Sequence, residues 1–234
     1  MFTHTYETRS GDYKDFETVK VGTVLDIVQD ISTKEADFCG FGIDKMRGLN
    51  MAWLMQGINL TFIKPVKTHT PIEAFTAVQR LKGAISERCC ILKQNGQPVV
   101  KTVANWFVVD TEKLKVCRIP PELHECYKCY DFNDSFFEYV RPALFEFEEA
   151  DYMIKVSNKD IDTNKHLNNQ KSADILMDAL PFDFTFNNLK ILYKKAAYLD
   201  DQLEVCVKKL DNGYYVHLQT PEKQICVAGT FENL

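Results

Sequence analysis

Apolar residues recur along this chain with two different periods, and the change from one to the other happens twice. Val24, Ile27, Val28 and Ile31 fall three and four apart with Asp26, Gln29 and Asp30 between them, which predicts an amphipathic helix. Cys39-Gly40-Phe41-Gly42 marks its end, since glycine readily follows a helix C-terminus, and a looser stretch continues through Arg47-Gly48-Leu49-Asn50. Ahead of this helix, residues 6–19 read as a polar, turn-rich entry containing Ser10-Gly11-Asp12. From Trp53 onward the period becomes that of strands, over residues 53–66, 72–81, 85–92 and 99–109. Lys82-Gly83 and Asn95-Gly96 supply turns between the last three, the second being a strong hairpin signal. Arg118-Ile119-Pro120-Pro121 breaks the sheet, and the charged, aromatic stretch beyond it reads as a connector.

The order then begins again. Residues 145–156 read as a strand, and a polar segment follows. A helix then runs to about residue 180, with Ala173, Leu176, Met177 and Leu180 on one face and Pro181 to stop it. Strands are expected over 188–198, 202–210, 214–218 and 225–231, with turns at Asp211-Asn212-Gly213 and Pro221-Glu222. The halves can be overlaid. Val24 to Asp30 matches Ser172 to Asp178, sharing both aspartates and the isoleucine; Asn59-Leu60 falls on Asn188-Leu189, and Ile72-Glu73 on Leu203-Glu204. A duplicated helix-plus-sheet unit follows from the shared order of elements.

The candidate chemistry lies just before the second helix, in Asp160-Ile-Asp-Thr-Asn-Lys-His-Leu-Asn-Asn169. Asp162, Asn164 and His166 alternate, so in an extended segment their side chains leave the backbone on one side. Histidine suits proton transfer near neutral pH, and amide and carboxylate neighbours can fix its tautomer or hold a water. The same residue types also serve in a turn that caps the next helix, so both readings stand at this point. In the overlay Ser10 and Asp15 fall opposite Ser157 and Asp162, while Glu17 and Val19 stand where the second copy has Asn164 and His166. That asymmetry favours chemistry over a purely structural turn.

Composition narrows the classes. With 234 residues and 45% hydrophobic content the chain can bury a real core, and its net charge of −5 speaks against bulk attraction to nucleic acid. No run of eighteen apolar residues occurs and the N-terminus lacks a signal pattern, so a cytoplasmic protein without stable membrane insertion is expected. The eight cysteines are scattered, as small buried residues are in a reducing compartment. Cys126-Tyr-Lys-Cys129, with Cys117 and His124 upstream, lacks the second pair of a structural zinc site, so no metal is assigned.

A duplicated helix wrapped by antiparallel sheet resembles the α+β tandem, or double, hotdog fold. Residues 160–169 closely resemble the Asp-Val-Asn-Gln-His-Val-Asn-Asn motif of the acyl-ACP thioesterases, enzymes that release fatty acids from acyl carrier protein. The likeness extends over nearly the whole chain, including Ile119-Pro120 and Tyr193-Lys194-Lys195, and the lack of a transit segment resembles the bacterial members. The resemblance implies a first hotdog over residues 1–118 that binds the acyl chain, a connector over 119–140, and a second hotdog over 141–234 carrying the motif. It implies Asp162, Asn164 and His166 as the catalytic trio, with Asn168 and the start of the second helix at the substrate. Trp53, Met55, Ile58, Phe75 and Trp106 are the implied acyl-chain lining, although each equally suits ordinary sheet core. Acyl carrier protein is the implied partner, met by Lys159, Lys165, Lys190, Lys194, Lys195, Lys208 and Lys209. No cofactor is implied, and monomer and homodimer are both compatible with a duplicated chain.

One departure matters. The family pattern places Glu-Cys after a Tyr-Arg-Arg-type stretch, where this chain has Ala196-Ala197 after Tyr193-Lys194-Lys195. A cysteine nucleophile at that position is excluded, and attack by water lacks its usual carboxylate, for which Asp200 or Asp201 could substitute. An acyl-CoA thioesterase, a non-catalytic acyl-thioester-binding relative, and more distantly a hydratase or dehydratase of the hotdog group are the alternatives.

Overall fold

The structure, a computed structural model, describes residues 1–127 and 138–234 and divides into two compact units, Met1–Tyr139 and Val140–Leu234. In the first unit, β1 (Phe2–Tyr6) precedes the long helix α1 (Val21–Phe38) and the short α2 (Ile43–Gly48). Then come β2 (Met51–Phe62), β3 (Ile72–Lys82), β4 (Ile85–Gln94), β5 (Gln97–Asp110), β6 (Lys115–Val116) and α3 (Pro121–Cys126). The strands run antiparallel in the order β1-β3-β4-β5-β2, with β6 on β5. α1 forms as the pattern predicts, burying Val24, Leu25, Ile27, Val28 and Ile31. It ends where Gly40 takes φ +75 and Phe41 N–H returns to the Ala36 carbonyl at 2.8 Å. Asn95 and Gly96 both sit at positive φ, 51 and 71, as a tight hairpin between β4 and β5 requires.

The second unit repeats the plan with β7 (Tyr152–Lys155), α4 (Asn169–Asp178), β8 (Asn188–Tyr193), β9 (Gln202–Leu210), β10 (Gly213–Gln219) and β11 (Ile225–Glu232). Its antiparallel order, β7-β9-β10-β11-β8, is that of the first unit element for element. This is the α+β double hotdog architecture, each long helix packed on one face of its sheet. Gly229 lies directly under α4 in the second copy, where a Cβ would come to 3.0 Å from Leu176 Cδ1.

Three expectations change, and β1, ahead of the entry stretch 6–19 where no element is expected, adds an edge strand. α2 occupies the stretch expected to be loose. The strand expected over 145–156 shrinks to β7, and that over 188–198 ends at Tyr193. The aromatic residues behind the first of these cover the sheet instead of pairing within it. Phe145 packs edge-on against Tyr215 at 4.8 Å, and Phe147 against His217 at 5.0 Å. At the other end of the chain's middle, Ile119, Leu123 and Tyr127 are buried in a cluster with Phe41, Met46, Val78 and Val108, so this stretch packs on the first unit. Cys129 lies outside the described residues.

Two buried polar groups anchor the units. In the first, Arg88 on β4 pairs with Glu35 on α1, and its guanidinium lies 5.1 Å from the ring centre of Tyr127. Removing one member of such a pair leaves a charge stranded in apolar surroundings. Arg88→Met is therefore expected to lower unfolding free energy by about 3–5 kcal/mol, with part of the loss recovered in the Glu35→Gln/Arg88→Met double variant, read by urea denaturation. In the second unit His217 is fully buried and shares a 3.0 Å hydrogen bond between Nδ1 and the Tyr215 hydroxyl. Burial pulls its imidazole down to about 4. A folded-state value below the unfolded one means the unfolded chain binds the proton first as pH falls. The associated stability, roughly 3 kcal/mol, is present above about pH 6.5 and drains away as pH falls towards 4. The difference in urea midpoint between pH 7 and pH 4.5 is expected to shrink in His217→Gln.

Candidate functional site

Asp162, Asn164 and His166 lie in a tight turn, not in the extended segment that their alternation suggests. An isolated bridge between Ile161 and Leu167 closes it. Inside that bridge Asp162 N–H donates to the His166 carbonyl at 2.9 Å, and Lys165 N–H returns to the Asp162 carbonyl at 3.0 Å. Lys165 sits at φ +65, the left-handed position that lets so short a turn close. The carboxylate of Asp162 then binds the turn from within. Its Oδ1 accepts the N–H groups of Asn164 at 2.8 Å and His166 at 3.2 Å, and Oδ2 faces Asn164 Nδ2 at 3.5 Å. Asn164 is exposed and His166 half-buried. One carboxylate thus fixes the backbone at both of the other candidate residues, and the three side chains gather for a reason other than strand parity.

The first copy contains the same turn without the chemistry, and its bonds correct the overlay by one residue. Arg9 N–H binds Asp12 as Ser157 N–H binds Asp160; Tyr13 bridges Val19 as Ile161 bridges Leu167; and Lys14 N–H reaches the Thr18 carbonyl as Asp162 N–H reaches that of His166. Lys14, Phe16 and Thr18 therefore stand where Asp162, Asn164 and His166 do. Asp15, one place along, ties its own turn by accepting Glu17 and Thr18 N–H at 2.8 Å each. A capped turn needs only that one aspartate. The amide and imidazole of the second copy go beyond it.

The start of α4 differs from the expectation as well. Asn168 is its N-cap, and its side-chain oxygen accepts Gln170 N–H at 2.8 Å and Lys171 N–H at 3.2 Å. These two donors are already satisfied, so neither is open to a developing oxyanion, and Asn168 serves the helix first. Its own N–H binds the Asp160 carbonyl at 2.8 Å, and the Tyr193 hydroxyl donates to the Asn169 carbonyl at 3.2 Å. The turn and the helix start form one hydrogen-bonded piece.

Ala196-Ala197, the pair that departs from the family pattern, borders this piece directly: Leu167 N–H donates to the Ala197 carbonyl at 2.8 Å. The two aspartates further on are each engaged. Asp200 pairs with Lys155 at 2.7 Å, and Asp201 accepts Tyr198 N–H at 2.8 Å. Sequence reasoning passed over Tyr198, whose ring lies perpendicular to that of His166, at 84°, with centroids 5.1 Å apart.

The candidate lining residues divide between the two faces of the first sheet. Directly paired residues of neighbouring strands point the same way, and a bulge adds one residue to the count. Trp53 pairs with Val108, Met55 with Trp106 and Ile58 with Ala104, because the bulge between Met55 and Gly57 resets the register. Ala104 in turn pairs with Arg88, whose partner Glu35 is on α1. Trp53, Met55, Ile58 and Trp106 thus share the α1 face. Phe75 pairs with Ile91 and lies on the opposite one. Ile58 is fully buried, Met55 nearly so, and the other three half-buried.

Among the described residues no helix is long and apolar enough to cross a membrane. A comparison with curated protein sequences finds no match. Solved structures do match over the full length. The chain is 13% identical to an acyl-ACP thioesterase from Bacteroides thetaiotaomicron, with TM-score 0.90 over 99% of this chain and 96% of that one. For a putative oleoyl thioesterase from Lactobacillus plantarum the values are 15% and 0.84, over 100% and 96%. For a 12:0-ACP thioesterase from Umbellularia californica they are 14% and 0.84, over 99% and 96%. At such identities the likeness speaks for the fold. The sequence model of the acyl-ACP thioesterase N-terminal domain matches residues 1–127 and that of the C-terminal domain residues 145–228, so the chain belongs to the acyl-ACP thioesterase family and is a thiolester hydrolase.

Proposed function

We propose that this protein hydrolyses fatty acyl-ACP thioesters to free fatty acid and carrier protein by direct attack of water, with His166 as base. The observation that carries the reading is the turn in which the Asp162 carboxylate holds the N–H groups of both Asn164 and His166. A thioester carbonyl is already electrophilic and thiolate leaves readily. The protein must therefore place a water, accept its proton and support the oxyanion. His166 takes the proton, the exposed amide of Asn164 binds the water or the thioester oxygen, and Asp162 keeps both in place. With Ala196 and Ala197 beside the turn, no thiol or carboxylate side chain at those positions attacks the carbonyl.

The acyl chain is assigned to the first unit, on the α1 face that carries Trp53, Met55, Ile58 and Trp106; Phe75, on the other face, is the least suited of the five. Carrier protein is the assigned partner, and Lys159, Lys165 and Lys194, all exposed and in the turn or within two residues of it or of Ala196, are the cations assigned to meet it. Lys190 and Lys208 are engaged elsewhere, with Glu232 at 2.8 Å and over the Phe145 ring at 4.0 Å. The same alanine pair favours a second reading, a protein that binds acyl thioesters without turning them over.

Two measurements test this. His166→Ala is expected to lower kcat on an acyl-ACP thioester by roughly 10²–10⁴-fold; unchanged turnover would remove His166 from the mechanism, and a wild type that binds without releasing acid would establish the second reading. Lys194→Glu is expected to raise KM for the carrier-protein thioester several-fold, while leaving the matched CoA thioester untouched. That difference should fade in high salt, where a charged surface contact is screened.

A further inference from the structure

A base whose ring can turn freely is in the right orientation only part of the time. The backbone of His166 is fixed by Asp162, but among the described residues no hydrogen bond reaches either ring nitrogen. The ring lies against Tyr198 instead, perpendicular to it at 5.1 Å. Such packing sets the positive edge of one ring against the negative face of the other and so prefers one mutual orientation.

Tyr198 is itself firmly held. Its N–H donates to Asp201 Oδ2 at 2.8 Å, and Asp201 N–H returns to its carbonyl at 3.1 Å. The segment is pinned to the chain after β7 by Asp200 N–H on the Val156 carbonyl, 3.0 Å, and by Val156 N–H on the Asp201 carbonyl, 2.9 Å. Its tie to the turn runs from Leu167 N–H to the Ala197 carbonyl, 2.8 Å, through the residue after His166 and the residue before Tyr198. The two rings are therefore mounted on backbones joined one residue away from each. Half of the Tyr198 side chain remains exposed, more than a core tyrosine shows.

We propose that Tyr198 is the positioning residue of His166: its ring holds the imidazole in one orientation, ready to take the proton of the attacking water. This rests on His166 being the base. The other charged groups nearby are engaged or turned to solvent. Asp162 is taken up by the turn, Asp160 binds Ser157, Asp201 binds Tyr198 N–H, Asp200 pairs with Lys155, and Lys165 is exposed. None of them reaches the ring nitrogens with a hydrogen bond, which leaves Tyr198 as the ring's fixed neighbour.

The experiment compares wild type, Tyr198→Phe, Tyr198→Ala and His166→Ala by kcat and KM on one acyl-ACP thioester. Thermal midpoints and NMR relaxation of the His166 ring accompany it. Tyr198→Ala is expected to lose on the order of tenfold in kcat with KM and thermal midpoint nearly unchanged. Its His166 ring should average over several orientations where that of wild type keeps one. Tyr198→Phe, which keeps the ring, should match wild type in kcat and in ring order. The proposal is overturned if Tyr198→Ala keeps wild-type kcat, or if its His166 ring stays as ordered as in wild type. If His166→Ala stays active, the assignment of the base fails instead; the NMR measurement still decides whether Tyr198 acts on the ring, since it needs no turnover.

Discussion

The candidate site depends on one carboxylate bound into its own turn. Asp162 Oδ1 accepts the N–H groups of both Asn164 and His166, so that an exposed loop holds an amide and an imidazole on a fixed backbone. An ionised carboxylate accepting backbone N–H groups makes shorter and stronger bonds than a neutral acceptor does. That strength is needed where five residues must reverse direction with Lys165 in the left-handed region. Beyond the turn, the Ile161–Leu167 bridge, the Asn168 cap and the bond from Leu167 N–H to the Ala197 carbonyl pass the constraint to α4 and to the segment between β8 and β9.

Duplication makes this constraint visible, because the first copy keeps the scaffold and lacks the chemistry. Asp15 closes a related turn one place along, and the bridge and the backbone bonds flanking it recur, yet Phe16 and Thr18 stand in for the amide and the imidazole. The turn is therefore a property of the fold, and the reactive groups are an addition to one copy. Phe16 at its tip is almost wholly exposed.

Much of this was legible in the sequence for identifiable reasons. α1 and the strands from β3 to β5 carry clean periods, and Asn95-Gly96 encodes its hairpin through positive φ. β1 escaped because an edge strand with a mostly exposed burial pattern, Phe-Thr-His-Thr-Tyr, has no apolar alternation to read. Residues 145–148 were misread for the opposite reason: Phe145 and Phe147 alternate like a strand but pack over Tyr215 and His217. The candidate trio was found through its composition, whereas its geometry was not, since alternation suggests an extended segment and the hydrogen bonds that fold it back depend on side-chain reach. The capped state of Gln170 and Lys171 N–H was open to inference from Asn168 at the N-cap position. Tyr198 carried no signal, because its contact with His166 exists only once two segments thirty-odd residues apart are joined by the bond between Leu167 and Ala197.

On the proposed reading, the turn of aspartate, asparagine and histidine beside two alanines acts on the thioester through water directly. Rapid quench of a single turnover on an acyl-ACP thioester, with intact-mass analysis of the enzyme at each time point, tests this most directly. Direct attack predicts that carrier-protein thiol and free fatty acid appear at the same rate and that the enzyme never gains the mass of an acyl group. A burst of thiol ahead of the acid, or an acylated enzyme, would contradict it.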